Sequence, residues 1–226
     1  MERPSSISPD GIAYPLPGEE EYREEFIRIK GLAEAARNKG QEIVVVMGVG
    51  FVGAVMAAIV ADTTDASGTP SKFVIGMQRP SLRSFWKIPV LNQGVSPVKA
   101  EDPEVDPMIR RCVLEKKTLV ATFVYEVLSL ADAVVVDVQL DYAKNELGNV
   151  RNGQVEMGAL EESFDVIAHH VKPDCLILIE TTVAPGTTEQ VALPAIRKIF
   201  RQPSLSIATS GKMTWGAANT TLEKRR

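Results

Sequence analysis

The alternation of apolar and polar stretches along the chain predicts a regular succession of strands and helices. Short apolar runs bounded by turn-forming residues predict five strands. Segments in which apolar residues recur every three or four positions predict helices between them. We expect the strands at 42–47, 72–77, 118–122, 133–138 and 175–180, and the helices at 51–62, 103–117, 155–170 and from 188 to about 200, with a helical turn at 124–130. Strands that alternate with helices predict an α/β fold with a doubly wound parallel sheet.

The chain before the first strand is predicted to add one helix to this sheet. Residues 1–17 are rich in serine, proline and glycine and are expected to be irregular. The next segment, 19–39, has helical spacing of its apolar residues and ends at Gly40, a plausible stop. We expect this additional helix to cover an edge or a face of the sheet. Two later stretches have no clear period and are predicted to be loops: 80–97 and 139–153.

One apolar stretch carries a glycine pattern that points to a ligand. The run 43–47 ends at Gly48, and Gly50 and Gly53 follow at G-x-G-x-x-G spacing before an alanine-rich helix. Gly48 would permit the turn, Gly50 would let a pyrophosphate approach the backbone, and Gly53 would let the helix pack closely on its strand. The phosphates would lie at the helix N-terminus, where unpaired N–H groups favour negative charge. The pattern therefore predicts a dinucleotide site.

The same stretch has two simpler interpretations. Residues 43–61 carry no charge and are just long enough to span a bilayer. The glycine spacing, and the division into a β-branched half and an alanine-rich half, argue against a membrane helix. A glycine turn that binds no ligand remains as the other alternative.

Charge and cysteine content narrow the class of protein. The 226 residues carry a formal net charge of -4 without an evident basic face, so nucleic acid is not expected as a partner. The acidic N-terminus lacks the apolar segment of a signal peptide. Cys112 and Cys175 lie in unrelated segments, which favours a reduced, cytoplasmic protein. We predict no metal site and no membrane association.

The end of the second predicted strand bears on which dinucleotide would bind. An acidic residue usually occupies this place and accepts hydrogen bonds from the adenosine ribose. Here the chain has Gln78 followed by Arg79, and neither would repel a 2′-phosphate. The expected cofactor is NAD, held more weakly at the ribose, or else NADP. The alternative for Arg79 is that it is simply solvated.

Three segments match a known pattern in their order and spacing. They are GVGFVG at 48–53, LNQGVSP at 91–97 and ETTVAPGTT at 180–188. Together they resemble the N-terminal domain of the nucleotide-sugar dehydrogenases, the UDP-glucose/GDP-mannose dehydrogenase family. The first segment is generic, whereas the second and third are specific, and the resemblance covers about 41–200. It implies a Rossmann-like single domain, and LNQGVSP argues against the alternative of a 3-hydroxyacid dehydrogenase.

The resemblance also implies an activity and a set of site residues. Family members oxidise the C6 hydroxyl of a UDP- or GDP-sugar to a carboxylate in two NAD-dependent steps, in polysaccharide biosynthesis. The residues implied at the cofactor pyrophosphate are Gly48, Gly50, Phe51, Val52 and Gly53. The other implied cofactor-binding residues are Gln78, Arg79, Val138, Gln139 and Thr182. Thr182 would lie near the nicotinamide and orient a water or the cofactor amide, unless it only caps a helix.

The chain departs from the family pattern in three places. Gln78 replaces the usual acidic residue, and 138–141 reads VQLD where the family has a Pro-Thr-Pro-like stretch. The family's catalytic cysteine, its lysine partner and its sugar-nucleotide domain would lie beyond residue 226, and the two cysteines present are expected to be buried thiols. We therefore expect a truncated chain that is inactive alone, with an extension at 1–40, a dinucleotide-binding domain at 41–200 and a partly disordered tail at 201–226.

A shift of the reading frame would explain the sequence of the tail. Synonymous codons for SIATSG at 206–211, read in another frame, give His-Ser-Tyr-Glu-Arg, with which the family would continue. A frameshift shortly before Ser206 is therefore one hypothesis. Residues 204–207 alternate polar and apolar positions and are expected to imitate a strand at the sheet edge, whereas those after Gly211 are expected to be disordered.

Two functions remain in competition. The first is the cofactor-binding portion of a nucleotide-sugar dehydrogenase, with a sugar nucleotide as the partner of the full-length protein. The second is a non-catalytic dinucleotide-sensing or interaction module of the same fold. Both need the glycine loop, and binding without turnover, even with the missing domain supplied, would favour the second. The pattern leaves the sugar nucleotide and the oligomeric state open, with a homo-oligomer as one option.

Overall fold

The computed structural model describes residues 3–144, 153–199 and 206–209. The strands of its central sheet are separated by helical segments, as the sequence predicts. The strands are β1 (Ser5–Ile7), β2 (Ala13–Pro15), β3 (Glu42–Met47), β4 (Lys72–Met77), β5 (Leu119–Thr122), β6 (Ala133–Val136), β7 (Asp141–Lys144), β8 (Gly153–Glu156), β9 (Leu176–Ile179) and β10 (Ser206–Thr209). The α-helices are α1 (Glu19–Arg37), α2 (Gly53–Asp62), α3 (Lys87–Asn92), α4 (Val105–Arg110), α5 (Gly158–His170) and α6 (Leu193–Ile199). A 3₁₀ helix spans Tyr125–Leu130, and π-helical turns span Arg111–Glu115 and Thr188–Ala192.

Six parallel strands form the central sheet in the order β5-β4-β3-β6-β9-β10. The chain moves outward from β3 to β5, returns to the other side of β3, and moves outward again through β10. With right-handed crossovers, this reversal places the helices of the two halves on opposite faces of the sheet. The structure thus confirms the predicted doubly wound, Rossmann-like fold.

The central strand β3 shows why the apolar runs predicted strands so well. Its positions from Ile43 to Met47 are all buried, because α2, α1 and the 3₁₀ helix pack on this strand, as expected for a central parallel strand that is covered on both faces. The run 43–61 is divided between β3 and α2 rather than forming one long helix. Within the described parts of the chain, no helix has both the length and the apolar character needed to span a bilayer.

The additional helix α1 packs on β3 and the 3₁₀ helix, as expected for a helix that covers the sheet. It buries Ile29, Ala33 and Ala36. Its C-terminal end is held by Asp132, which accepts hydrogen bonds from the Arg37 guanidinium at 2.9 Å and from the Ile43 N–H at 2.9 Å. One carboxylate therefore links α1 to the start of the sheet.

Three predicted irregular or polar segments contain regular structure, and these predictions were wrong. Residues 1–17 include the antiparallel hairpin of β1 and β2, whose turn is closed by a Gly11 N–H bond to the Ser8 carbonyl at 2.9 Å, with Gly11 at φ 81°. The stretch 80–97 contains α3, in which Pro89 is the third residue and so removes no hydrogen bond that the helix needs. The stretch 139–153 contains β7 and the start of β8, which pair antiparallel.

Several boundaries also differ from the predicted ones. The helix predicted at 51–62 begins at Gly53, because 51–52 still belong to the glycine turn. The helix predicted at 103–117 is α4 followed by a π-helical turn, and it ends before Lys117, which has φ 54°. The strand predicted at 133–138 ends at Val136, and the helix predicted from 155 begins at Gly158.

The sheet edge agrees with the strand predicted near 204–207. Strand β10, Ser206–Thr209, pairs in parallel with β9, Ile207 opposite Ile177. The predicted disorder after Gly211 lies outside the described residues.

Candidate functional site

A cavity of about 480 Å³ opens at the carboxyl ends of β3, β4 and β6. This is the place where the order of the strands reverses, and ligands of open α/β sheets bind at such a point. Its size falls within the range of small-molecule sites. The lining residues are Met47, Gly48, Gly50, Met77, Gln78, Arg79, Ser81, Arg83, Ser84, Lys87, Tyr125, Asp137, Val138, Gln139, Ala159, Glu162, Ser163 and Val166.

The three glycines of the 48–53 loop differ in what surrounds them. Gly48 has φ 104°, and a Cβ there would overlap the Asp137 carbonyl oxygen. A Cβ on Gly53 would overlap the Gly48 carbonyl oxygen, because α2 starts directly against the loop. A Cβ on Gly50 would have no heavy atom within 4 Å, so the backbone there faces open space beside the cavity. Two glycines are therefore needed for packing, and the third leaves room for a ligand.

Two residues of the predicted pyrophosphate set do not line the cavity with their side chains. Phe51 is 66% exposed and Val52 49% exposed. The role that the sequence predicts for these two residues concerns only their backbone groups. The segment leads directly into α2, whose first residue is the buried Gly53.

Gln78 lies in the wall of the cavity, but its side chain also supports the glycine loop. Its Oε1 accepts a hydrogen bond from the Val49 N–H at 3.0 Å, and its Nε2 donates to the Ser84 hydroxyl at 3.3 Å. Arg79 also lines the cavity and forms an ion pair with Glu162 at 2.7 Å. This ion pair joins the segment after β4 to helix α5.

The loop after β6 brings an acidic side chain that the sequence analysis did not single out. Asp137 lines the cavity with Val138 and Gln139. Burial raises the pKa of Asp137, and the charge of Glu180 raises it further, although a hydrogen bond from the Gly53 N–H opposes both effects. The signal was present as a polar residue after the apolar run 133–136, but the strand was predicted to continue through Val138.

The loop after β9 approaches the same edge of the sheet. The Thr181 hydroxyl donates to the Val138 carbonyl at 2.9 Å, which ties this loop to the one after β6. Thr182 is exposed and is not among the residues lining the cavity. Farther along, Thr187 caps the turn by donating its hydroxyl to the Ala184 carbonyl at 2.8 Å. Of the predicted cofactor-binding residues, the cavity wall includes Gly48, Gly50, Gln78, Arg79, Val138 and Gln139.

Other reactive side chains lie away from the cavity. Cys112 and Cys175 are buried free thiols, and burial raises the pKa of each to about 11. A thiol with so high a pKa is a poor nucleophile at neutral pH. Among the residues that the structure describes, no group of three His, Cys, Asp or Glu side chains is placed to hold a metal ion.

Comparison with known structures gives the same assignment for the fold. NDP-N-acetyl-D-galactosaminuronic acid dehydrogenase from Methanosarcina mazei Go1 is 26% identical, with a TM-score of 0.65 over 80% of this chain and 37% of that one. GDP-mannose dehydrogenase from Pseudomonas aeruginosa is 22% identical, with a TM-score of 0.60 over 75% and 36%. UDP-D-ManNAc dehydrogenase from Pyrococcus horikoshii is 22% identical, with a TM-score of 0.57 over 76% and 37%. The chain thus spans little more than a third of the length of these proteins.

Sequence comparison identifies the family. A search of curated protein sequences gives no match. The family model of the UDP-glucose/GDP-mannose dehydrogenase NAD-binding domain matches residues 42–210, ten residues beyond the expected end at 200. The match therefore includes β10 at the edge of the sheet. The chain belongs to the UDP-glucose/GDP-mannose dehydrogenase family, and residues 42–210 correspond to its NAD-binding domain.

Proposed function

We propose that this chain holds the nicotinamide dinucleotide for the oxidation of a sugar nucleotide at its C6 hydroxyl. The observation that carries the proposal is the open space beside Gly50, at the point where the strand order reverses. A dinucleotide bound there would accept a hydride from the sugar carbon, which is the chemistry that the cofactor supplies. The resulting uronic acid would serve polysaccharide biosynthesis, and the two reduced thiols support a cytoplasmic location.

The residues present fit the pyrophosphate of such a cofactor. The N-terminus of α2 begins three residues after Gly50, beside the open space, and the helix dipole favours negative charge there. The Val49 N–H is already bound by Gln78, so that hydrogen bond fixes the shape of the loop. We propose that the backbone of Gly50, Phe51 and Val52 contacts the phosphates, whereas the Gly53 N–H is already bound by the Asp137 carboxylate.

The nicotinamide end would lie towards the loops after β6 and β9. Val138 and Gln139 line the cavity on that side, and Thr181 fixes the two loops relative to each other. Thr182 follows Thr181 at the outer end of this loop, and we propose that its hydroxyl helps to orient the nicotinamide amide or a water. Its role is that of a positioning residue.

The oxidation itself needs a nucleophile that the described part of this chain does not place at the cavity. A covalent route from aldehyde to acid requires a thiolate beside the sugar carbon. Cys112 and Cys175 are buried and are not among the lining residues. We therefore propose that the isolated chain binds the dinucleotide but does not oxidise UDP- or GDP-sugars.

The first prediction tests cofactor binding through Gly50. Gly50→Val should abolish dinucleotide binding, because a branched side chain would fill the space that the pyrophosphate needs. Gly68→Val is a useful comparison, since Gly68 also has open space around it but lies in a distant turn, although its φ of 83° will cost some stability. Calorimetric titration with NAD and NADP measures both variants. Equal affinities of wild type and Gly50→Val for both dinucleotides would remove the proposed function.

Turnover is measured on the same samples. Wild-type chain that binds the dinucleotide should produce no reduced cofactor when UDP-glucose, GDP-mannose or their N-acetylated relatives are added. Sugar-dependent reduction of the cofactor that disappears in Thr182→Val would contradict the proposal that the isolated chain only binds the dinucleotide. It would show that this chain catalyses the oxidation itself.

A further inference from the structure

The wall of the cavity that follows β4 is rich in hydrogen-bond donors and positive charge. The basic side chains are Arg79, Arg83 and Lys87, and the hydroxyls are those of Ser81 and Ser84. No carboxylate comes from this segment, because Gln78 stands where a dinucleotide site usually has its acid. The segment therefore presents donors and cations where the family pattern presents an acceptor.

Hydrogen bonds hold the two serine hydroxyls and the backbone of this segment in place. The Ser81 and Ser84 hydroxyls are 2.8 Å apart, and Ser84 accepts a hydrogen bond from the Gln78 amide. The Trp86 N–H donates to the hydroxyl of Ser6, which is fully buried in the N-terminal hairpin. The hairpin thus supports the cavity wall from behind.

Two of the three cations have no anionic partner in the described parts of the chain. Arg79 pairs with Glu162, whereas neither Arg83 nor Lys87 belongs to any of the ion pairs found there. Burial lowers the pKa of Lys87, and the nearby charge of Arg83 lowers it further. Lys87 is partly buried and Arg83 is exposed, and both line the cavity, so an anion bound between them would be attracted by both charges.

The carboxylates that line the cavity lie elsewhere. Glu162 extends from α5 and is neutralised by Arg79. Asp137 follows β6, on the side of the glycine loop, and its carboxylate accepts from the Gly53 N–H. Neither belongs to the segment that follows β4, where the adenosine ribose of a bound dinucleotide lies.

We propose that Arg83 and Lys87, with the hydroxyls of Ser81 and Ser84, form a subsite for the 2′-phosphate of the cofactor, so that this chain binds NADP in preference to NAD. The inference rests on the proposed function, since it assumes that a dinucleotide occupies the cavity. A ribose at the end of β4 would direct its 2′ substituent towards this segment. Gln78 contributes by being neutral, because a carboxylate there would repel the phosphate.

The test compares dinucleotides and their adenosine halves on the whole chain. Calorimetric titration should give NADP a Kd at least about tenfold lower than NAD, as expected for a few charge-assisted hydrogen bonds. Adenosine 2′,5′-bisphosphate should bind more tightly than adenosine 5′-monophosphate by a similar factor in Kd, because the two differ only at the 2′ position. The preference should shrink as salt is raised from 50 to 500 mM, because exposed charges are screened.

Single substitutions test whether Arg83 and Lys87 bind the 2′-phosphate. Arg83→Ala and Lys87→Ala should each weaken NADP binding about fivefold or more while changing the Kd for NAD by less than about twofold. Arg23→Ala is the matched control, since Arg23 is an exposed arginine of α1 that lies outside the cavity. Gln78→Glu should reverse the preference by placing a carboxylate at the ribose. Thermal unfolding of each variant verifies that it is folded.

The outcomes separate the two proposals. If NAD binds as tightly as NADP or more tightly, the 2′-phosphate subsite is wrong and the proposed function stands. An NADP preference that Arg83→Ala and Lys87→Ala both leave intact would also overturn the assignment. If neither dinucleotide binds to the folded wild-type chain, the proposed function fails and the inference fails with it.

Discussion

The carboxylate of Asp137 lines the cavity and is expected to oppose the binding of a negatively charged dinucleotide there. Its carboxylate accepts from the Gly53 N–H at the N-terminus of α2, a group that would otherwise face the cofactor phosphates. Burial raises its pKa above the ordinary value of 3.8, and the charge of Glu180 adds to this effect. The carboxylate is therefore a destabilised anion placed beside the proposed site of another anion.

We expect Asp137→Asn to strengthen dinucleotide binding at pH 7 by about threefold to tenfold, because the amide keeps an acceptor for Gly53 and removes the repulsion. The same substitution should also raise the free energy of unfolding. A carboxyl whose pKa is raised by folding makes the protein lose stability as the pH rises from 3.8 through the raised value, and the amide does not. The variant should therefore unfold at higher urea concentration than wild type at pH 7, with a smaller difference at pH 4. Weaker binding by Asp137→Asn would show instead that the carboxylate is a cofactor ligand.

At the residue scale, the sequence predicted the glycine turn because its backbone conformation and close packing require particular residues. The glycine loop was recognisable because spacing alone demands Gly48 and Gly53, and the structure shows the two packing contacts responsible. Arg83 and Lys87 were missed as cavity residues because they lie in a segment predicted to be irregular. Their position depends on the N-terminal hairpin, which holds Trp86 through Ser6. No local pattern reports such a long-range contact.

At the scale of elements, Asp62 connects helix α2 to the segment that follows α4. Its carboxylate accepts from the Arg111 Nε at 2.9 Å and from the Lys116 Nζ at 2.8 Å. The hydrogen bond from Arg111 is the main cause of a pKa for Asp62 far below the ordinary carboxyl range, and burial opposes it only in part. This cluster fixes the π-helical turn, Arg111–Glu115, against the end of α2.

We expect Asp62→Asn to cost about 1–2 kcal/mol of unfolding free energy at pH 7, through the loss of charge-assisted hydrogen bonds. A carboxyl whose pKa is lowered by folding stabilises the protein above its ordinary value of 3.8, and this stabilisation is lost as the pH falls below that value. The difference between variant and wild type should therefore shrink between pH 4 and pH 2 in urea titrations. Asp174→Asn is the control, an exposed aspartate without an ion pair among the described residues. A difference that stays constant with pH would exclude the ion-pair explanation.

Elements were predicted well where burial on both faces produced an unbroken apolar run. Strands β3 and β4 were predicted to the residue for this reason. The hairpins of β1 with β2 and of β7 with β8 were missed, because short antiparallel strands depend on their turns and on pairing rather than on apolar content. Helix α3 was missed because its six residues include a proline and are too few to show a helical period.

At the scale of the whole molecule, the cavity belongs to both halves of the sheet. Gln78 and the segment after it come from the half that contains β4 and β5, whereas Asp137 and Glu162 come from the half that contains β6 and α5. A ligand that contacts both walls must bind less tightly if the halves separate. Dinucleotide binding should therefore stabilise the two halves together.

The two buried cysteines provide native probes with which this expectation can be measured. Cys112 lies between β4 and β5, and Cys175 lies directly before β9, so there is one thiol in each half. Each is almost fully buried, and burial raises the pKa of each to about 11, so alkylation requires opening of the structure. If residues 42–199 unfold as one cooperative unit, both thiols should react with iodoacetamide at the rate set by global unfolding.

Peptide-resolved mass spectrometry follows both thiols in one sample. The free energies of opening obtained from Cys112 and Cys175 should agree within about 0.5 kcal/mol with each other and with urea unfolding. A saturating dinucleotide should slow both reactions by the same factor, because a ligand bound to the native state reduces every global opening by one plus its concentration over its Kd. The Gly50→Val variant, which is not expected to bind, should show no such slowing. Labelling of Cys175 that is much faster than that of Cys112, and unaffected by the dinucleotide, would mean that the half containing β9 opens independently, and that the cavity wall it provides is not held by the ligand.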